Sequence, residues 1–284
     1  MNMKLSALAI AAAGLIVSTS ASAVIVGGVD FGAFGFHIDT TTLAESGVTA
    51  AGQTTKGFGL VNTVNSNSNY SVIPGEKLYF TFTYTALSVT GANVQLGPGT
   101  VNIYKGVLAP LLTMTSDAAF SAIGGLSPWL RLAGHGNLGG PPLLCMAAAT
   151  VCANGSFTGA SLTFTGSGLL DVVPGGFGIP AVQTALNGNT VVDAIGGLAD
   201  VLYTTSGNNF ILNPLDQTDP GPGRAGNNTR CQNGTFTNLD WCFQGSADLR
   251  GALVPEPATV ALVGLGLLGA GFARRRKATP EAVA

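Results

Sequence analysis

Charge is what this sequence has least of. Only 9% of its 284 residues are Asp, Glu, Lys or Arg. Between residues 24 and 254 there are ten Asp and two Glu against three Lys and four Arg, which gives a net charge of about −5. Seven scattered cations form no basic stripe, so the composition argues against a nucleic-acid partner.

The usual signatures of catalysis are also missing. Neither of the two histidines, His37 and His135, lies in a zinc-protease helix motif, and no Gly-x-Ser-x-Gly nucleophile elbow occurs. Glu45 and Glu76 are the only glutamates before the C-terminal region, although aspartates could supply the paired carboxylates of a glycosidase. The glycines around His135 predict a loop residue rather than a base. We therefore predict no enzymatic activity, no cofactor and no metal site; the alternative is a calcium site at Asp216 and Asp219, which lack the spacing of an EF-hand.

The N-terminal region is typical of a signal peptide. Lys4 is followed by an apolar run over residues 5–17, in which Ser6 is the one polar residue. Ala21 and Ala23 then supply the small side chains of a cleavage site. The run is too short for a retained anchor. We predict that residues 1–23 are removed after Ala23 and that the protein is exported.

The C-terminal region combines a proline motif, an apolar run of sixteen residues and a basic cluster. These are Val254, Pro255, Glu256 and Pro257; residues 258–273; and Arg274, Arg275, Arg276 and Lys277. The prolines keep the motif extended. As a helix the apolar run spans about 24 Å, short of a hydrocarbon core of about 30 Å, and the basic cluster would stay on the cytoplasmic side. The glycine pattern at 264–269 lacks the strand and the acidic residue of a dinucleotide site.

This order of elements closely resembles the PEP-CTERM sorting signal. The resemblance covers about 25 of the residues and implies recognition by an integral-membrane exosortase in a Gram-negative bacterium that makes exopolysaccharide. It also implies a transient inner-membrane anchor, followed by a place on the cell surface or in the extracellular matrix. Residues 278–284 form a short cytoplasmic extension, whereas many family tails stop soon after the arginines. An ordinary C-terminal membrane anchor is the alternative.

All four cysteines lie in the exported part, where an oxidising compartment favours disulfides over thiols. We predict the two pairs that are local in the sequence, Cys145 with Cys152 and Cys231 with Cys242. A four-thiolate metal site is the alternative, but neither pair has the spacing of a zinc knuckle.

The segment over residues 24–253 predicts one all-β domain. Residues 77–84 alternate apolar and polar side chains, with Tyr79 as the one exception, and further strands are predicted at 58–64, 101–104, 161–165, 201–205 and 210–212. Short helices are predicted at 116–123 and 181–186. Many short strands separated by Gly, Asn and Pro favour a β-sandwich or jelly roll with long loops.

A weak sequence repeat, which we call the echo, occurs at Phe157, Phe164 and Phe243, each of which is followed by a polar residue and a glycine. Its spacing is too irregular for a solenoid repeat. Together these features favour an exported adhesive or structural protein that associates with extracellular polysaccharide, in a biofilm or floc. A lectin-like module that uses Trp129 and Trp241 is the alternative. A secreted hydrolase is the third possibility.

Overall fold

The computed structural model describes residues 24–32, 35–111, 114, 116–135, 151–158, 163–186, 201–207 and 238–251, with the backbone alone over 201–207. Strands dominate these ranges, which confirms the mainly β class. The elements in chain order are β1 (Ile25–Val26), β2 (Val29–Asp30), β3 (Phe36–Glu45), β4 (Thr54–Leu60), β5 (Thr63–Val64), β6 (Lys77–Thr90), β7 (Asn93–Gly106), α1 (Ser116–Gly124), β8 (Ser127–His135), β9 (Ala153–Thr158), β10 (Thr163–Val172), α2 (Pro180–Leu186), β11 (Val201–Gly207) and β12 (Phe243–Gly251).

The large sheet closes on itself. Its strands follow the order β11-β12-β3-β4-β6-β7-β8-β10, and β10 pairs in turn with β11. Every pairing is antiparallel. The predicted sandwich of two packed sheets is therefore not confirmed, because all described strands except β1 and β2, which form a small sheet of their own, belong to one sheet. Alternation along a strand defines two faces, but it does not decide whether the ends of a sheet meet.

Strand β9 fills the gap that β8 leaves between β7 and β10. The end of β10, Leu169 to Val172, pairs with β8, whereas its beginning, Thr163 to Gly168, pairs with β9. The other edge of β9 pairs with the first four residues of β7. As a result β9 has a hydrogen-bonded neighbour on both sides. A strand paired on both edges offers no open backbone ladder for another chain.

The interior of the closed sheet is the main hydrophobic core. The three phenylalanines of the sequence echo meet there: the ring centroid of Phe243 lies 4.9 Å from that of Phe157 and 5.8 Å from that of Phe164. All three are buried. The echo therefore marks inward-facing positions on three strands, since Phe164 lies inside β10 and Phe243 begins β12. Aromatic clusters of this kind stabilise a fold by more than the burial of their surface area alone.

Glycines on neighbouring strands make room for the aromatic side chains of β6. A Cβ at Gly57 of β4 would overlap the ring of Phe82, and a Cβ at Gly99 of β7 would overlap the ring of Tyr84. The register places each glycine directly opposite its ring. The rings thus lie across the adjacent strands instead of filling the centre of the sheet.

A second cluster lies outside the sheet, beneath α1. Tyr79 of β6 and Phe58 of β4 pack there with Ala119 and Ile123 of the helix. This explains why Tyr79 breaks the alternation of its strand: the outer face at this point is covered by a helix and is as apolar as the inner one. Trp241 completes the cluster, with its ring centroid 5.2 Å from that of Phe58.

Candidate functional site

A shallow, open groove lies on the outer face of β7, β9 and β10. It has a volume of about 390 Å³, and its lining includes Asn93, Asn154, Ser156, Thr165 and Ser167. These residues alternate along their strands with side chains that point inward, such as Phe157 and Phe164, so the pleat itself directs them outward. Cross-strand pairing then aligns them, because Asn93 lies opposite Ser156 and Ser156 opposite Thr165.

The groove is neutral and rich in hydrogen-bonding groups. Four of these five side chains are exposed, and Ser156 is half-buried. Within the described ranges, none of the five makes a side-chain hydrogen bond. Hydroxyls and amides both donate and accept. Such a surface can exchange hydrogen bonds with a hydroxyl-rich ligand without a strong charge contact. Part of the sequence signal was available, because the polar residues of β9 and β10 alternate with Phe157 and Phe164, but their alignment across the strands was not.

A different kind of site lies inside the sheet, at the end of β3. Glu45 is buried there beside a small cavity that is also lined by Phe80, Phe82, Tyr84 and Phe157. The cavity has a volume of about 30 Å³, which is room for about two water molecules. The cavity is therefore too small for a sugar or a cofactor.

Burial raises the pKa of Glu45 to about 8, because the charged form loses its hydration among aromatic rings. Thr55 Oγ1 lies 3.3 Å from Glu45 Oε1, which lowers the pKa in part, but the same hydroxyl is only 2.6 Å from the carbonyl oxygen of Ser46. Glu45 Oε2 has no hydrogen-bond partner among the described residues. The carboxyl group is thus largely protonated at neutral pH.

His135 is not the loop residue that the sequence predicts. It is the last residue of β8 and is buried, and its Nδ1 lies 2.8 Å from Oδ2 of the equally buried Asp171 in β10. The pair connects β8 to β10 near the point where the pairing partner of β10 changes from β9 to β8. The surrounding glycines misled the prediction, because strands of this sheet carry glycine at inward positions.

The two glutamates do not form the paired carboxylates of a glycosidase. Glu45 pairs across the sheet with Gly57 of β4, which pairs in turn with Phe82 of β6. Glu76 directly precedes β6 and lies about 20 Å from this position along the strand. Glu76 instead forms an ion pair of 3.0 Å with Lys105. Glycosidase carboxyl groups lie within about 10 Å of each other.

Trp129 and Trp241 are not available as lectin-type stacking platforms. Both are buried, and each indole nitrogen already donates a hydrogen bond: Trp129 to the carbonyl oxygen of Gly27 at 3.2 Å, and Trp241 to Oδ1 of Asp117 at 3.1 Å. Indole rings bury readily when the N–H finds a partner. A lectin-like interpretation that depends on these two rings is therefore wrong.

Of the four cysteines, Cys152 and Cys242 lie in the described ranges. Both are buried, and neither is a free thiol. Cys145 and Cys231 lie outside the described residues, so the two local pairings stay a prediction.

The predicted sorting elements also lie outside the described residues. This applies to the cleavage site at Ala21 and Ala23, to residues 254–257 and 258–273, and to the basic cluster at 274–277. A family model described as the PEP-CTERM protein-sorting motif matches residues 253–277. The chain carries a PEP-CTERM sorting motif. This motif indicates an exported protein that is targeted by exosortase, a membrane protein, and sorted to the cell surface.

The match begins two residues after β12 ends at Gly251, so the PEP-CTERM motif directly follows the last strand of the closed sheet. No helix in the described ranges is long and apolar enough to cross a membrane. No curated protein and no solved structure matches the chain.

Proposed function

We propose that this protein is a non-catalytic cell-surface component that adheres to exopolysaccharide in a biofilm or floc matrix. It would be delivered through a transient inner-membrane anchor and processed by an exosortase-like enzyme at Val254, Pro255, Glu256 and Pro257. The observation that carries the proposal is the neutral outer groove of β7, β9 and β10 on a chain that bears a PEP-CTERM motif.

The chemistry of the groove supports adhesion rather than hydrolysis. Its amides and hydroxyls can bond sugar hydroxyls, but hydrogen bonds that replace water contribute only about 1 kcal/mol each. A single site should therefore bind weakly, and many copies on one cell would bind by avidity. The two glutamates lie too far apart to act as an acid–base pair, so the hydrolase alternative would have to use aspartates instead.

The test is to incubate the purified protein with the exopolysaccharide of its own host and to follow pull-down and polymer length together. We expect the protein to be retained by the polymer while the polymer keeps its length. Shortened polymer would favour the hydrolase. A result that shows no binding and no cleavage would contradict adhesion and would leave a structural role in the envelope.

A further inference from the structure

Polar side chains continue beyond the groove as two parallel rows across four strands. One row consists of Thr90, Asn93, Ser156 and Thr165; the other consists of Ser88, Gln95, Asn154 and Ser167. In each row the residues are direct cross-strand partners on β6, β7, β9 and β10. We call these eight residues the polar ladder.

The ladder faces outward because the side chains of β6 change face before the strand reaches it. Phe82, Tyr84 and Ala86 are buried, and irregularities between Tyr84 and Ser88 interrupt their alternation, although β6 pairs with β7 in the same register on both sides. After these irregularities Val89 packs against the interior, opposite Val94, so that Ser88 and Thr90 turn outward. Unbroken alternation along β6 would turn Ser88 and Thr90 inward.

The dimensions of the ladder are those of an extended polymer rather than of a compact ligand. Adjacent strands lie about 4.8 Å apart, so each row is about 14 Å long, and the two rows are separated by two residues, or about 7 Å. An extended hexose chain advances by roughly one strand spacing per sugar. The backbone register of both rows continues into β11, at Thr204 and Ser206.

The chemistry of the ladder selects a neutral partner. None of its eight residues is charged, and none is aromatic. All eight side chains are uncharged donors and acceptors. At the ladder β7, β9 and β10 are paired on both edges, so that side chains rather than backbone must bind the partner there. Six of the eight residues make no side-chain hydrogen bond recorded for the described ranges; the exception is the contact of 2.9 Å between Ser88 Oγ and Gln95 Oε1.

We infer that the polar ladder is the binding site of a neutral, extended polysaccharide that lies across the strands, with about one sugar opposite each of β6, β7, β9 and β10. This inference rests on the proposed function, since it names the surface and the class of polymer. The absence of rings on the ladder means that sugars are held by their hydroxyl edges and not by stacking. Binding should therefore be insensitive to salt, unlike the binding of an acidic polymer.

The experiment uses the full chain in mild detergent and soluble neutral β-glucan oligosaccharides of two to six sugars, with an acidic polyuronate as a comparison. Affinity should rise up to about four sugars and then level off, and it should not change between low and high salt. Stronger binding to the polyuronate, or loss of binding in high salt, would overturn the neutral ladder.

The decisive variant is Ser156→Ala, Thr165→Val and Ser167→Ala, which removes three hydroxyls with little change in volume. We expect about tenfold or greater loss of affinity. The control is Ser121→Ala with Ser127→Ala: both residues are exposed, and Ser127 pairs with Lys105, about 40 Å along β7 from Asn93. Thermal unfolding checks that both variants fold.

The outcomes separate the inference from the proposed function. If the unaltered protein binds the host's exopolysaccharide but the ladder variant binds it equally well, the ladder is wrong and adhesion stands. If the unaltered protein binds neither the oligosaccharides nor the host's exopolysaccharide, both are wrong.

Discussion

Ionisation of Glu45 should make the stability of this protein fall as the pH rises. The group is an acid whose pKa is raised from 4.5 to about 8 by burial, so between these values the folded protein binds a proton that the unfolded chain has released. The free energy of unfolding therefore decreases through this window. At about 1.4 kcal/mol for each pH unit, the loss amounts to roughly 5 kcal/mol between pH 4.5 and pH 8.

The variant Glu45→Gln removes this dependence. Its amide keeps the shape of the side chain and cannot ionise, so we expect it to match the unaltered protein near pH 5 and to exceed its stability by several kcal/mol at pH 9. Urea unfolding at pH 5, 7 and 9 measures the difference. Glu76→Gln is the matched control, because Glu76 lies outside the interior and pairs with Lys105.

A difference between Glu45→Gln and the unaltered protein that stays constant from pH 5 to pH 9 would refute this reasoning. It would mean that Glu45 is ionised throughout and has a cationic partner. Among the described residues the lining of the cavity includes no such partner: besides Glu45 it consists of apolar and aromatic side chains, glycines and Thr165.

Three further predictions concern processing, the cysteines and the packing of β6. Surface-located protein from the native host should lack the residues after Pro257, and deletion of Pro255, Glu256 and Pro257 should leave it in the inner membrane; mass spectrometry that finds Arg274, Arg275, Arg276 and Lys277 on surface protein would contradict this. Peptide mapping without reductant should show Cys145 joined to Cys152 and Cys231 joined to Cys242; a cross-link between Cys152 and Cys231, or bound zinc, would show the pairing to be wrong. Gly57→Ala should lower the free energy of unfolding by about 1–3 kcal/mol, because its Cβ would overlap the ring of Phe82. Gly124→Ala, whose Cβ meets nothing within 4 Å, is the control for urea unfolding, and an equal effect of both substitutions would contradict the overlap.

Local patterns in the sequence predicted the elements whose periodicity is undisturbed. Both short helices are confirmed, as Ser116–Gly124 and Pro180–Leu186, and the strand at 77–84 is the first half of β6. The strand predicted at 58–64 divides into β4 and β5, with a break at Val61 and Asn62. The strand predicted at 210–212 lies outside the described residues.

Among the strands that the prediction missed, β8 and β12 carry residues that are unusual in a strand. Strand β8 begins with Ser127 and Pro128, which are turn residues, and β12 contains two glycines and the adjacent pair Leu249 and Arg250. A terminal proline and inward glycines are tolerated here because neighbouring strands supply the packing. Residue types alone do not reveal those neighbours.

The candidate sites were hidden for a different reason. Each depends on residues that are distant in the sequence: the ladder joins β6 to β10, and Asp171 reaches His135 across 36 positions. Glu45 looks like an ordinary surface acid at the end of a strand until closure of the sheet places it inside. The C-terminal motif could be predicted because its three elements are contiguous.

Closure of the sheet also bears on how the sorting motif can act. The last backbone pairs of β12 join Gly251 to Phe36 of β3 and to Val201 of β11, so the ring of strands is complete before the motif match begins at residue 253. Cleavage at or after Pro257 would therefore remove none of the backbone hydrogen bonds that close the ring. Since adjacent strands around the ring are paired, little open backbone would be exposed to neighbouring copies in a crowded envelope. Removal of the sorting motif would thus leave intact the closed sheet that carries the polar ladder.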